Sequence, residues 1–130
     1  MLKENNVVPV IHVAYEDMTK LSYPANFFDI VHCANALDHS ARPMEAIAEM
    51  YRVCKPGGWI ILKHFENVGE FLNYRGLHLW NIHKEGTDAI VWNQYERHSL
   101  NELYKEVTIV DSYLKGTKPM VQNVIKIHKV

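Results

Sequence analysis

Phe28-Asp29-Ile30-Val31-His32-Cys33, followed through Leu37-Asp38-His39 by Arg52-Val53-Cys54-Lys55-Pro56-Gly57-Gly58, decides the fold. Phe27 to Cys33 is apolar apart from Asp29 and His32, the composition of a strand covered on both faces at the centre of a sheet. Pro43 then opens a helix in which Met44, Ile47, Ala48, Tyr51 and Cys54 recur at helical spacing, with Glu45, Glu49 and Arg52 facing outward. Lys55-Pro56-Gly57-Gly58 ends it, because proline cannot continue the hydrogen-bond ladder and the glycines permit a sharp reversal. Trp59-Ile60-Ile61-Leu62 is the next strand. Strand, helix, turn and strand form a parallel crossover unit, so the chain is α/β.

Upstream, the β-branched run Val7 to Ala14 predicts a first strand ending at Glu16-Asp17, followed by a turn around Ser22-Tyr23-Pro24-Ala25-Asn26. Downstream, Leu77 to Ile82 is rich in aromatic residues, Lys84-Glu85-Gly86 is a turn, and Ala89-Ile90-Val91-Trp92 has strand composition, which predicts a small hairpin or cover. Ser99-Leu100-Asn101-Glu102 matches a capping box and predicts a short helix starting there. Val107 to Tyr113 and Val121 to Lys129, separated by Lys115-Gly116-Thr117-Lys118-Pro119, predict a closing antiparallel pair.

The 130 residues, 48% hydrophobic and 22% charged, suit one domain spanning 1–130. A net charge of -1 argues against a nucleic-acid or anionic-membrane partner and favours a small-molecule one. No apolar run approaches the length of a bilayer span, and Cys33 and Cys54 read as buried free thiols, so the expected location is the cytoplasm. The eight histidines show no i, i+4 pair and no Cys-x-x-Cys companion, so no metal is expected. A nucleophile elbow and a phosphate-cradling loop are also missing from the sequence, which removes hydrolase and nucleotidase readings.

These segments resemble the second half of a class I S-adenosylmethionine-dependent methyltransferase. The likeness rests on Asp17-Met18, Leu21-Ser22-Tyr23, Phe28-Asp29, Leu37-Asp38-His39 and Lys55-Pro56-Gly57-Gly58. It implies S-adenosylmethionine as cofactor and methyl transfer to a small-molecule acceptor. It also implies a partial Rossmann-like sheet, strands 4-5-7-6 with an antiparallel last strand, lacking the N-terminal strands. Asp17 would accept from the adenine amino group, and Met18 would offer its backbone amide and an apolar contact. Cys33, Ala34 and Asn35 would lie along the methionine portion. The alternative for Asp17 is a solvated turn, and for Asn35 plain turn chemistry.

His39, beside Asp38, is the candidate catalytic base, since a histidine next to a carboxylate is suited to removing a proton; the competing role is structural. His64, Glu66, Tyr74 and His78, extended by Trp80 and Asn81, are candidate substrate-binding residues, polar groups set among aromatic ones. Packing is the alternative for that aromatic stripe. No Gly-x-Gly loop precedes these segments, although the family uses one to hold the methionine end of the cofactor. The expectation is therefore a truncated methyltransferase, with homo-oligomerisation through the incomplete sheet edge as one way to fill the gap. The other reading is a non-catalytic methyltransferase-like binding or assembly module.

Overall fold

In a computed structural model, which describes residues 13–113 and 121–130, the crossover unit is the first complete motif. Strand β1 (Phe28–Ala34) leads through a 3-10 turn (Leu37–His39) into helix α1 (Pro43–Val53) and then strand β2 (Cys54–Phe65). The two strands pair in parallel from Ile30↔Trp59 to Ala34↔Lys63. The Lys-Pro-Gly-Gly segment lies inside β2 rather than before it, so the strand begins at Cys54 instead of Trp59. Its extra residues shift the register between Phe28↔Cys54 and Ile30↔Trp59. Gly57 takes a φ of +84°, and a Cβ on Gly58 would stand 2.5 Å from the Asp29 carbonyl oxygen and 2.8 Å from the Cys54 sulfur. This bulge therefore requires glycine twice, for conformation and for space.

After helix α2 (Val68–Phe71) comes a three-stranded antiparallel sheet of β3 (Asn81–Glu85), β4 (Asp88–Trp92) and β5 (Arg97–Ser99). Its hairpin turns through Gly86 and Thr87, with Gly86 at φ +62°. Helix α3 (Leu100–Leu103) starts where the capping box predicted, but Ser99 makes no side-chain cap bond and its buried hydroxyl finds no partner among the described residues. Strands β6 (Glu106–Tyr113) and β7 (Val121–His128) pair antiparallel, and β7 inserts beside β2. The main sheet is ordered β1-β2-β7-β6, a mixed α/β sheet in which the last strand, β7, runs antiparallel to both of its neighbours.

Two expectations about burial change. Among the described residues β1 pairs only with β2, and Ile30 is 59% exposed, so this strand is an edge and not a covered centre. The predicted strand Val7 to Ala14 falls largely outside the described residues, and Val13 and Ala14 have no regular structure. On α1 the buried stripe is Pro43, Ala46, Ile47, Met50 and Val53, leaving Ala48 outside and Met44 and Tyr51 only partly covered.

The core lies between one face of the main sheet and the elements laid over it. Cys33, Ile60, Leu62, Ile125 and Ile127 from the sheet meet Ala46, Ile47 and Met50 of α1 and Ile82, Ala89 and Val91 of the small sheet. Each buried Ile, Leu, Val or Met among them contributes about 1.5–3 kcal/mol on burial. The Asn123 amide donates to the Ile82 carbonyl at 3.2 Å, fixing the small sheet over the large one. No helix among the described residues is long and apolar enough to cross a membrane.

Candidate functional site

Past the carboxyl end of β1, residues Tyr15 to Thr19 face Ala36 and His39 to Arg42 across an open cleft of about 670 Å³. Ligands of open α/β sheets collect at this end of the strands. On one bank, the Thr19 N–H and hydroxyl both donate to Asp17 Oδ1, at 2.9 and 2.8 Å, and the Lys20 N–H closes the turn on the Asp17 carbonyl. The backbone bond from Thr19, then its hydroxyl, holds the Asp17 carboxyl below the usual carboxylate range.

The turn is anchored to α1 from behind. Glu49 accepts the Leu21 N–H at 2.8 Å, and Arg52 donates to the Leu21 carbonyl at 3.1 Å while pairing with both oxygens of Glu49. Residues read as merely solvent-facing thus fix the position of Asp17 and Met18.

The opposite bank carries a cluster. Asp38, only 6% exposed, sits in the 3-10 turn with its Oδ2 2.7 Å from His78 Nδ1 and 3.6 Å from His39 Nε2, and the two imidazole nitrogens stand 3.3 Å apart. The rings meet edge to face. His78 reaches this place because the Leu79 N–H donates to the Asp38 carbonyl at 3.0 Å. Below the turn, His64 Nε2 accepts the Leu37 N–H at 3.1 Å, and burial pushes the His64 pKa down to about 4, against the pull of Asp38. The ring is therefore neutral near pH 7. With Nε2 accepting, its proton sits on Nδ1, a buried donor with no partner among the described residues.

The remaining candidates divide. Asp17, Met18 and His39 share the cleft, with Arg42 and Ser40, which the sequence reading did not single out. Cys33 is buried, and burial pushes its thiol up. Ala34 and Asn35 are exposed but do not line the cleft, and Asn35 adopts φ +51° with its N–H on the Lys63 carbonyl. His64 lies beneath the site rather than in it. The Tyr74 hydroxyl accepts from Asn81, whose carbonyl oxygen accepts the Glu70 N–H, so Tyr74 braces the loop that carries His78. The Glu66 N–H bonds the Val121 carbonyl, and Trp80 is core. The grouping of Asp38 with His39 and His78 escaped a reading by spacing, because 39 residues separate the two histidines and the backbone bond from Leu79 to Asp38 brings their segments together.

Residues 1–62 match the family described as a methyltransferase domain. The ubiquinone/menaquinone biosynthesis C-methyltransferase UbiE of Neisseria meningitidis is 35% identical over 68 residues, 52% of this chain and 26% of the relative. Over these residues the chain is similar to the class I S-adenosylmethionine-dependent methyltransferases. It spans about a quarter of the length of the curated relatives it matches. Among solved methyltransferases, a phosphoethanolamine N-methyltransferase of Haemonchus contortus, in complex with phosphomonomethylethanolamine and S-adenosylhomocysteine, superposes with a TM-score of 0.57 at 12% identity, covering 87% of this chain and 36% of its own. The PH0226 protein of Pyrococcus horikoshii gives the same score at 16% identity over 99% of this chain and 63% of its own. At such identities these two bear on the fold alone. S-adenosylmethionine is the cofactor of this methyltransferase family. The cleft offers a carboxylate with one oxygen outside the Thr19 bonds, an acceptor of the kind that the amino group of an adenosyl portion requires.

Proposed function

We propose that this chain forms the adenine and acceptor side of a site that transfers a methyl group from S-adenosylmethionine to a small-molecule acceptor. The observation that carries this reading is the single cleft with the Asp17-Met18 turn on one bank and His39 on the other. When bound, the cofactor supplies an electrophilic methyl group on its sulfonium sulfur. Asp17 accepts from the adenine amino group, and the Met18 N–H meets the adjacent ring nitrogen. Ala34 and Asn35, exposed where β1 ends, are available to the methionine portion. His39 takes the acceptor's proton, its imidazole oriented by Asp38 and His78. Most of the rate comes from alignment of acceptor and methyl, so loss of His39 slows transfer without abolishing it.

The test is calorimetric titration of the chain with S-adenosylmethionine and with its demethylated product. Micromolar binding, weakened roughly tenfold in Asp17→Ala, supports the reading. A folded chain that binds neither compound refutes it and leaves the non-catalytic module.

A further inference from the structure

The Asp38, His39 and His78 cluster brings three metal-ligating atoms within 3.6 Å of one another. His78 Nδ1 faces both Asp38 Oδ2, at 2.7 Å, and His39 Nε2, at 3.3 Å. That nitrogen carries at most one proton, so a full hydrogen bond to Asp38 leaves none for His39. A cation placed among the three atoms engages all three lone pairs at once.

The distances accommodate one. A triangle with sides of 2.7, 3.3 and 3.6 Å has a circumradius of ~1.9 Å, so a point ~2.0–2.1 Å from every donor lies just off its plane, the bond length zinc makes to imidazole nitrogen and carboxylate oxygen. Two imidazoles and one carboxylate form a donor set that suits zinc and its first-row neighbours better than calcium or magnesium. The turn also holds the donors in place: Asp38 is buried, its carbonyl binds the Leu79 N–H beside His78, and the preceding Leu37 N–H is fixed on His64. His39 and His78 are each about one-third exposed, which leaves an approach for an ion.

We propose that Asp38, His39 and His78 hold a divalent transition-metal ion of the zinc class at the mouth of the cleft. Three protein ligands leave a coordination position for water or for an oxygen of a bound molecule, the arrangement of a working rather than a purely structural zinc site. The assignment does not depend on methyl transfer. With the ion in place His39 Nε2 is a ligand and not a base, so the proton-removing role proposed above belongs to the metal-free chain.

The experiment is calorimetric titration of the chelator-stripped 130-residue chain with zinc chloride alone, paired with cobalt(II) substitution read by visible absorption. The expected result is one equivalent bound with micromolar or tighter affinity, and a cobalt spectrum of low coordination number. His39→Gln and His78→Gln each lower zinc affinity by about tenfold or more. His128→Gln, which removes a histidine from a separate surface pair with Glu106, leaves it unchanged. Unfolding midpoints measured for all three variants separate loss of the site from loss of the fold, and both site histidines are partly exposed, so their replacement is tolerated. Absence of zinc binding by the wild-type chain, or equal binding by wild type, His39→Gln and His78→Gln, overturns the proposal.

Discussion

The Leu37 N–H donates to Nε2 of His64 at 3.1 Å, which ties the turn carrying Asp38 and His39 to the buried end of β2. This bond exists only while His64 is neutral.

Stability should therefore fall in mild acid. Burial holds the folded-state pKa of His64 at about 4 against its ordinary 6.5, so between those values the unfolded chain binds the extra proton. Stability is complete above pH 6.5 and declines as pH falls toward 4, by a total of roughly 3 kcal/mol from this group. Urea midpoints measured at pH 7 and pH 5 check this. His64→Gln, which cannot titrate, should show a shallower decline; equal slopes in the two proteins would remove His64 as the cause.

Gly57 and Gly58 should respond differently to alanine. Gly57 has open space but a φ of +84°, so Gly57→Ala costs about 1 kcal/mol. Gly58→Ala drives a methyl into the Asp29 carbonyl and should cost more, about 1–3 kcal/mol or misfolding of the bulge. Thermal unfolding of the pair decides the order.

Removing Arg52 should weaken cofactor binding without a direct contact. Arg52→Ala leaves Glu49 and the Leu21 turn without their clamp, so S-adenosylmethionine affinity should drop several-fold while the unfolding midpoint barely moves. Titration of this variant beside Asp17→Ala separates positioning of the turn from contact with the ligand.

Both thiols should be silent in the native state. Cys33 and Cys54 are buried, and burial pushes each thiol above its ordinary pKa. A disulfide reagent at pH 8 should label neither promptly, and both once the chain is unfolded in urea.

What could be read from the sequence follows a physical division. The crossover unit, the Gly86 hairpin and the β6–β7 pair were legible because period and turn chemistry act locally. The buried stripe of α1 was not, since Ala46 and Met50 are selected by what lies beneath the helix and not by spacing alone. The capping box was legible as a start signal, yet Ser99 makes no cap bond. In the site, Asp17, Met18 and His39 were legible from motif likeness and meet in one cleft. His78 was suspected only as part of an aromatic wall, because its contact with His39 depends on the Leu79 to Asp38 hydrogen bond, which no local pattern encodes. His64 read as a pocket residue and is a buried support, a distinction set by depth in the strand.

Helix α1 holds both banks of the cleft. Its first turn continues directly from His39 to Arg42, and Glu49 and Arg52 near its far end grip Leu21 behind the Asp17 turn. The width of the opening is thus a property of one rigid rod rather than of two independent loops. The segment that brings in His78 lies outside this helix and is fastened to the His39 bank by the Leu79 N–H on the Asp38 carbonyl. Substitutions in that segment alter what stands behind His39 and leave the α1 clamp on Leu21 untouched, so the surroundings of one bank can vary while the spacing between the banks is kept.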